Sequence, residues 1–256
     1  MQLIVDQLRL MRGQRVIIDD LGFAVAGGEA LLLKGPNGAG KTTLIRALAG
    51  YLAPTSGTIL LDGGDAEREV AEQCHYVGHL NGIKASLTVL ENVTFWAEFL
   101  AGETRPSPLV GEGQEGGDRR PSVVGLPPTP SPPHVASKTR LRHDGEGSSE
   151  VVLDALDTFG LMDLADIPAA YLSAGQKRRL GLARLLIAPR PVWLLDEPTV
   201  SLDAGNVAIL ARAIETHLAA GGIAIAATHI PMGLTRARDL MLGHPAATAS
   251  SDLGAA

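Results

Sequence analysis

Apolar residues in this chain come in short runs broken by glycine, proline and charged pairs, and the runs alternate with stretches of helical period. Near the start, Leu3 to Leu10, Arg15 to Ile18, Gly22 to Val25 and Ala30 to Leu33 are punctuated by Gly13 and by Gly27-Gly28. They read as strands, the first ones antiparallel. Thr42 to Ala49 reads as a helix closed by Gly50. A turn at Pro54-Thr-Ser-Gly57 leads to a strand at Thr58 to Leu61, a helix over 66–73 and a strand at Cys74 to Gly78 that runs into a loop. Thr88 to Leu100 carries Leu90, Val93, Phe95 and Trp96 on one helical face, and Val151 to Phe159 repeats the pattern with Val152, Leu153, Leu156 and Phe159. Ser173 and Gln176 have the spacing of a capping box, which opens a helix predicted to run to about Ala188, where Pro189 and Pro191 stop it. Val192 to Leu195 and Ile223 to Thr228 are apolar enough to be buried strands, with a helix over 205–220 between them, ended by Gly221-Gly222. The expected class is α/β.

The pattern fails over residues 103–150. This stretch holds eight of the sixteen prolines and includes PPTPSPP, GEGQEGG and HDGEGSS. No helical or strand period survives, and such a composition buries too little surface to offset its ordering entropy. It is predicted to be a disordered insertion in a helical subdomain spanning 80–172. Lys138, Arg140, Arg142 and His143 form a small basic cluster within it, read as a solvated charge run.

With 256 residues and 45% hydrophobic composition, the chain can build one large α/β domain. The net charge of −6 argues against a nucleic-acid groove. One cysteine, Cys74, leaves no disulfide framework and no multi-cysteine metal site. The N-terminus carries early charges and no long apolar core, so it does not read as a signal peptide. No run approaches the roughly eighteen apolar residues of a membrane span. The expectation is a soluble, cytoplasmic-type chain, for which other chains would supply any membrane spans.

One stretch carries most of the chemistry. GPNGAGKTT, from Gly35 to Thr43, fits the phosphate-loop pattern, with a strand before it and a helix after it, as that motif needs. Gly35, Pro36, Asn37, Gly38, Ala39, Gly40, Lys41, Thr42 and Thr43 are the candidate nucleotide-binding residues. Gly35, Gly38 and Gly40 let the backbone approach phosphate oxygens and take positive φ. Lys41 is placed to reach the β- and γ-phosphates and Thr42 to ligate Mg²⁺. Asp196 ends an apolar strand, where a carboxylate on the Mg²⁺ side belongs, and Glu197 beside it is the candidate general base for an attacking water.

LSAGQ at Leu172 to Gln176, followed by Lys177-Arg178-Arg179, then VWLLDEP, then Ser201-Leu202-Asp203, then Thr228-His229, resembles the motif set of ATP-binding-cassette ATPases. The resemblance covers residues 1–102 and 150–245 and leaves 246–256 as a frayed tail. It implies a single P-loop ATPase domain over 1–245, with a β-subdomain and a helical subdomain, that hydrolyses ATP with Mg²⁺. It further implies that Ser173, Gly175 and Gln176 act on the ATP of a second protomer in a head-to-tail homodimer, that Asp203 lies in the loop communicating between protomers, and that His229 contacts the γ-phosphate. Two places depart from the family pattern. Where an adenine-stacking aromatic is expected the text is Met11-Arg12-Gly13, so either Arg12 is the stacking group or the adenine contacts are weak, with Val16 beneath the base. Where a Mg²⁺-sensing glutamine is expected the text is Val77-Gly-His-Leu-Asn81, so His79 is the candidate replacement and Asn81 the reserve.

These departures, with GHLNGIKASLTVLENVTFW and LSAGQKRRLGLARLLI, are similar to one branch of that family, the ATP-binding subunits of the haem exporters of cytochrome c maturation. That resemblance implies integral-membrane partner subunits, a peripheral place on the cytoplasmic face of a bacterial inner membrane, and ATP-driven export of haem or release of a haem-loaded chaperone. Another small exporter, or a soluble cassette protein of translation or DNA repair, stays open at this point. The second is disfavoured because the chain has one cassette and no heptads in its insertion.

Overall fold

The computed structural model describes residues 1–101 and 146–243. Two sheets organise them. The first is a three-stranded antiparallel sheet in the order β2-β1-β4, built from β1 (Gln2–Arg12), β2 (Arg15–Ala26) and β4 (Ser56–Asp62). The second is a five-stranded sheet in the order β5-β6-β7-β3-β8, built from β3 (Ala30–Lys34), β5 (Cys74–Val77), β6 (Val192–Asp196), β7 (Ile223–Ala227) and β8 (Ala237–Met241), with every pairing parallel. All residues of β6 and β7 are buried, as strands covered on both faces must be.

The helices follow from local chemistry. α1 (Lys41–Leu48) follows the phosphate-loop candidate and packs Leu44, Ile45 and Leu48 inward. α2 (Val89–Ala101) starts at a reciprocal cap: Glu91 N–H donates to Thr88 Oγ1 at 3.1 Å, and Thr88 N–H donates to Glu91 Oε2 at 2.8 Å. α3 (Glu146–Thr158) buries Val152, Ala155 and Leu156. α4 (Ala174–Ala183) and α5 (Ala204–Ala219) flank β6 in sequence. The core has two parts. In one, Leu3, Val5, Leu8 and Leu10 of β1 join Leu31 and Leu33 of β3 and Leu44 of α1. In the other, Val93 and Trp96 of α2 join Leu156 and Phe159, Leu180 and Leu182 of α4, and Trp193 of β6.

Several boundaries differ from those expected. Arg15 to Val25 is one continuous strand, because β2 pairs with β1 along its whole length and absorbs polar residues at register shifts. Only Val70–Gln73 of 66–73 forms a helical turn, a 3₁₀ turn opened by a Glu69/Glu72 capping box. α4 ends at Ala183 and tightens into a 3₁₀ turn over Arg184–Leu186 before Pro189. Helical order resumes at Glu146, so the last residues of the expected insertion 103–150 belong to α3; the rest of it and the tail 246–256 lie outside the described residues. β8 was not foreseen: ARDLM has two charges among its five residues, because it is an edge strand and only half-buried.

Candidate active site

The loop from β3 to α1 rises over the C-terminal edge of the parallel sheet. Gly35, Gly38 and Gly40 stand at φ +132°, +84° and +99°. Gly40 has a second reason to lack a side chain: a Cβ there would lie 2.9 Å from Ile17 Cγ2 of β2. Lys41 is buried, and its ammonium donates to the carbonyls of Gly35 at 2.7 Å and Pro36 at 3.1 Å, folded under its own loop. The N-terminus of α1 has no side-chain cap and no acidic residue in its first turn, so its amides are free for an anion.

Across the loop, Thr42 Oγ1 donates to Asp196 Oδ1 at 2.9 Å. Asp196 is buried at the end of β6. Glu197 follows at φ +49°, its N–H donating to Ala227 O of β7 at 2.8 Å. Its Oε1 lies 3.3 Å from His229 Nε2. The His229 loop is anchored just before: the Thr228 hydroxyl lies 3.0 Å from that of Thr199 and accepts from Ile230 N–H at 3.1 Å. Beside these groups lies a cavity of about 490 Å³ lined by Asn37, Gly38, Gly40, Lys41, Thr42, Thr43 and Glu197 and by Arg12, Arg15 and Ile17; Asp196 and His229 stand behind that lining, held to Thr42 and Glu197. Gly35, Pro36 and Ala39 complete the loop without lining the cavity.

The remaining sequence candidates gather elsewhere. Ser173 caps α4, accepting from Gln176 N–H at 3.2 Å while its own N–H donates to Gln176 Oε1 at 2.7 Å. Gly175 is seated on the loop after β6, where a Cβ would lie 2.9 Å from Ser201 O. Asp203 caps α5, accepting from Asn206 N–H at 2.8 Å. None of Ser173, Gly175, Gln176 and Asp203 lines the nucleotide-sized cavity. His79 is exposed in the loop after β5 and also lies outside that lining. Asn81 is held inward, its Oδ1 accepting from Arg178 at 3.0 Å.

The ABC transporter family pattern matches residues 18–200, a span that takes in the phosphate loop, the capping box of α4 and the Asp196-Glu197 pair. The chain belongs to the ABC transporter family. Relatives named "Cytochrome c biogenesis ATP-binding export protein CcmA" align over nearly its whole length. The one from Rhodopseudomonas palustris (strain BisB5) is 45% identical, covering 92% of this chain and 95% of the relative. Those from Nitrobacter winogradskyi and Bradyrhizobium diazoefficiens are 43% and 41% identical, each covering 95% of this chain and 98% of the relative. A solved structure of an ATP-binding subunit of an ABC transporter shares the fold with a TM-score of 0.68 at 20% identity, covering 94% of this chain and 86% of that one. Like its family, this ABC transporter protein is an ATP hydrolase built on the P-loop α/β fold.

Sequence reasoning missed two arginines of this ABC protein. Arg15 lines the cavity beside Arg12 because the tight turn at Gly13-Gln14 returns it to register directly opposite. The signal was present in that turn. Arg178 is the buried member of Lys177-Arg178-Arg179. Three successive helical positions point about 100° apart, so a helix packed as closely as α4 turns one of three such residues inward.

Proposed function

We propose that this chain is the ATP-hydrolysing subunit of a membrane export complex for c-type cytochrome biogenesis, moving haem or releasing a haem-loaded chaperone. The observation that carries the reading is one cavity lined by Lys41, Thr42 and Glu197, with Asp196 bonded to Thr42 and His229 beside Glu197, within a chain similar over its length to cytochrome c biogenesis export proteins.

The residues fit a magnesium nucleotide. Thr42 Oγ1 and Asp196 Oδ1, already 2.9 Å apart, would hold Mg²⁺, a hard ion that takes few protein oxygens and completes its shell with phosphates and water. When bound, the ion neutralises charge on the β- and γ-phosphate oxygens. Gly35 to Thr43 binds the phosphates through backbone amides, with the Lys41 ammonium turning from its loop carbonyls to them. Arg12 supplies a planar cation for the base, with Ile17 beside it in the cavity lining in place of the expected Val16. Glu197 accepts the proton of the attacking water, and His229, 3.3 Å from its carboxylate, orients the γ-phosphate side.

The second half of each site comes from another copy. Ser173, Gly175 and Gln176 present an exposed helix N-terminus that does not reach their own cavity, which fits a head-to-tail homodimer with two shared sites. Asp203, at the start of α5 beside the signature, then lies near the shared boundary. Integral-membrane partners dock on the side of the His79 loop. Leu80 is 83% exposed there, and Phe95 and Phe99 stack on the outer face of α2 with their ring centroids 6.0 Å apart. His79 is in position to report that contact, and the peripheral place is the cytoplasmic face of the inner membrane. Among the described residues no helix is long and apolar enough to cross a membrane, and the proposal assigns the spans to the partners. Replacing Lys41→Ala in the gene is expected to eliminate covalent c-type cytochromes and spare b-type ones, read by haem staining of denaturing gels. Unchanged c-type bands would refute the export role and leave the ATPase standing.

A further inference from the structure

Arg178 of α4 is 4% exposed. A buried guanidinium is tolerated only when its donors are matched. Here all five N–H groups have an oxygen. Nε donates to Pro198 O at 3.1 Å. One terminal nitrogen donates to Gly78 O at 2.8 Å and to Asn81 Oδ1 at 3.0 Å. The other donates to Asp196 O at 3.3 Å and to Glu197 O at 2.7 Å. This exhausts the donors of an arginine. No acceptor is a carboxylate. Four acceptors are main-chain carbonyls and the fifth is the Asn81 side-chain amide, so the group holds two separate pieces: the turn that leaves β6 and the loop that leaves β5.

The turn needs holding. Glu197 sits at φ +49°, a region that costs a non-glycine residue about 1–2 kcal/mol. Two hydrogen bonds fix the peptide planes on either side of it: its N–H to Ala227 O at 2.8 Å, and its carbonyl from Arg178 at 2.7 Å. The direction of the carboxylate follows from those planes. The same α4 is seated against the β5 loop one turn later, where a Cβ on Gly181 would lie 2.9 Å from that of Asn81. We infer that Arg178 is a positioning residue, which locks the backbone of Glu197 and ties its aim to the Gly78–Asn81 loop. The inference rests on the reading of Glu197 as general base. Lysine cannot replace it, because three N–H groups on one atom cannot span both segments.

The test uses the full chain with Arg178→Lys, Asn81→Ala and the double variant, and measures kcat and KM for ATP, nucleotide affinity and melting temperature. Arg178→Lys is expected to lower kcat by about tenfold to a hundredfold, with KM and affinity within about twofold of wild type, since misaiming a reacting group costs turnover rather than binding. Asn81→Ala breaks one bond of the five and is expected to lower kcat about threefold, with the double variant no worse than Arg178→Lys because both act through one network. Wild-type kcat in a folded Arg178→Lys protein would overturn the inference, as would equal losses of turnover and affinity. If Arg178→Lys does not fold, Asn81→Ala decides: lower kcat at constant KM supports the inference and unchanged kcat refutes it. Glu197→Gln is measured beside them. If it hydrolyses ATP normally, the base assignment falls and takes the inference with it; if it is inactive while Arg178→Lys is not, the inference alone falls.

Discussion

The two helix N-termini proposed to face phosphate in this chain are built to different degrees. At α1 the amides are uncapped, a buried ammonium waits under the loop, and a hydroxyl and a carboxylate line one cavity, with a second carboxylate bonded to that hydroxyl. At α4 the first turn is capped by its own Ser173 and Gln176, its N-cap is exposed, and its residues line no part of that cavity. The first end needs ligand charge to become neutral. The second is already satisfied within the chain, so burying it against phosphate requires another molecule to bring the phosphate. In the proposed homodimer, one protomer supplies one half of each of two sites.

Separating the halves gives the largest effect. Lys41→Ala removes the ammonium and is expected to abolish hydrolysis and weaken nucleotide binding by about a hundredfold, a loss of near 3 kcal/mol for a charge-assisted phosphate contact. Ser173→Arg leaves the cavity intact, so a single protomer should bind a fluorescent ATP analogue normally and fail to hydrolyse ATP. A mixture of the two inactive proteins should recover partial ATPase activity, because the intact cavity of one meets the intact signature of the other. No recovery across mixing ratios would mean that the signature does not act in trans.

Glu197→Gln sharpens the same contrast from inside the cavity. It keeps the shape of the site and removes the proton acceptor, so ATP binding should persist while turnover falls by about a hundredfold or more. With hydrolysis stopped, the two halves should stay closed on ATP, visible as a dimer on size exclusion with nucleotide and a monomer without it. Turnover near the wild-type rate would remove Glu197 from the chemistry.

The α1 half was far more legible than the links between the halves. The phosphate loop, the capping box of α4 and the apolar strand before Asp196 are contiguous in sequence, and each carries its own physical signature, in glycine spacing, cap spacing or unbroken burial. The Arg178 network joins residues a hundred positions apart through main-chain carbonyls, which no side-chain pattern records. β8 was missed for a related reason. An edge strand keeps polar residues and so lacks the run that marked β6 and β7. The expectation for His79 was local, whereas Asn81 acquires its partner only through the fold.

A pH titration separates the body of the sheet from its catalytic edge. His75 of β5 is buried with a ring nitrogen 2.7 Å from Ala188 O, and burial pushes its pKa down from 6.5 to about 4. The unfolded chain therefore takes up the proton first as pH falls. The stability held by neutral His75 is complete above about pH 6.5 and declines down to about pH 4, by roughly 3 kcal/mol in all. Melting temperature should fall over that window, and His75→Gln should flatten most of the fall. A residual slope is expected from His217, whose pKa burial also lowers. An unchanged slope in His75→Gln would place the acid sensitivity elsewhere.

The smallest effect tests whether α4, satisfied alone, can still take a partner's phosphate. Ser173 Oγ receives the Gln176 N–H at 3.2 Å, and an oxygen acting as acceptor keeps its own proton free to donate. The cap is therefore compatible with the proposed phosphate contact. Gln176→Ala removes only the reciprocal bond to the Ser173 N–H. Ser173→Ala removes the cap and the donor together. Each should cost on the order of 1 kcal/mol, which for a domain of this size lowers the melting temperature by about 2–4 °C. Hydrolysis should divide them: Ser173→Ala is expected to slow turnover several-fold more than Gln176→Ala at equal loss of stability, since a charge-assisted bond to phosphate contributes about 1.5–3 kcal/mol. Equal turnover in the two variants, at matched stability, would show that α4 acts through its amides and that Ser173 only holds the helix end.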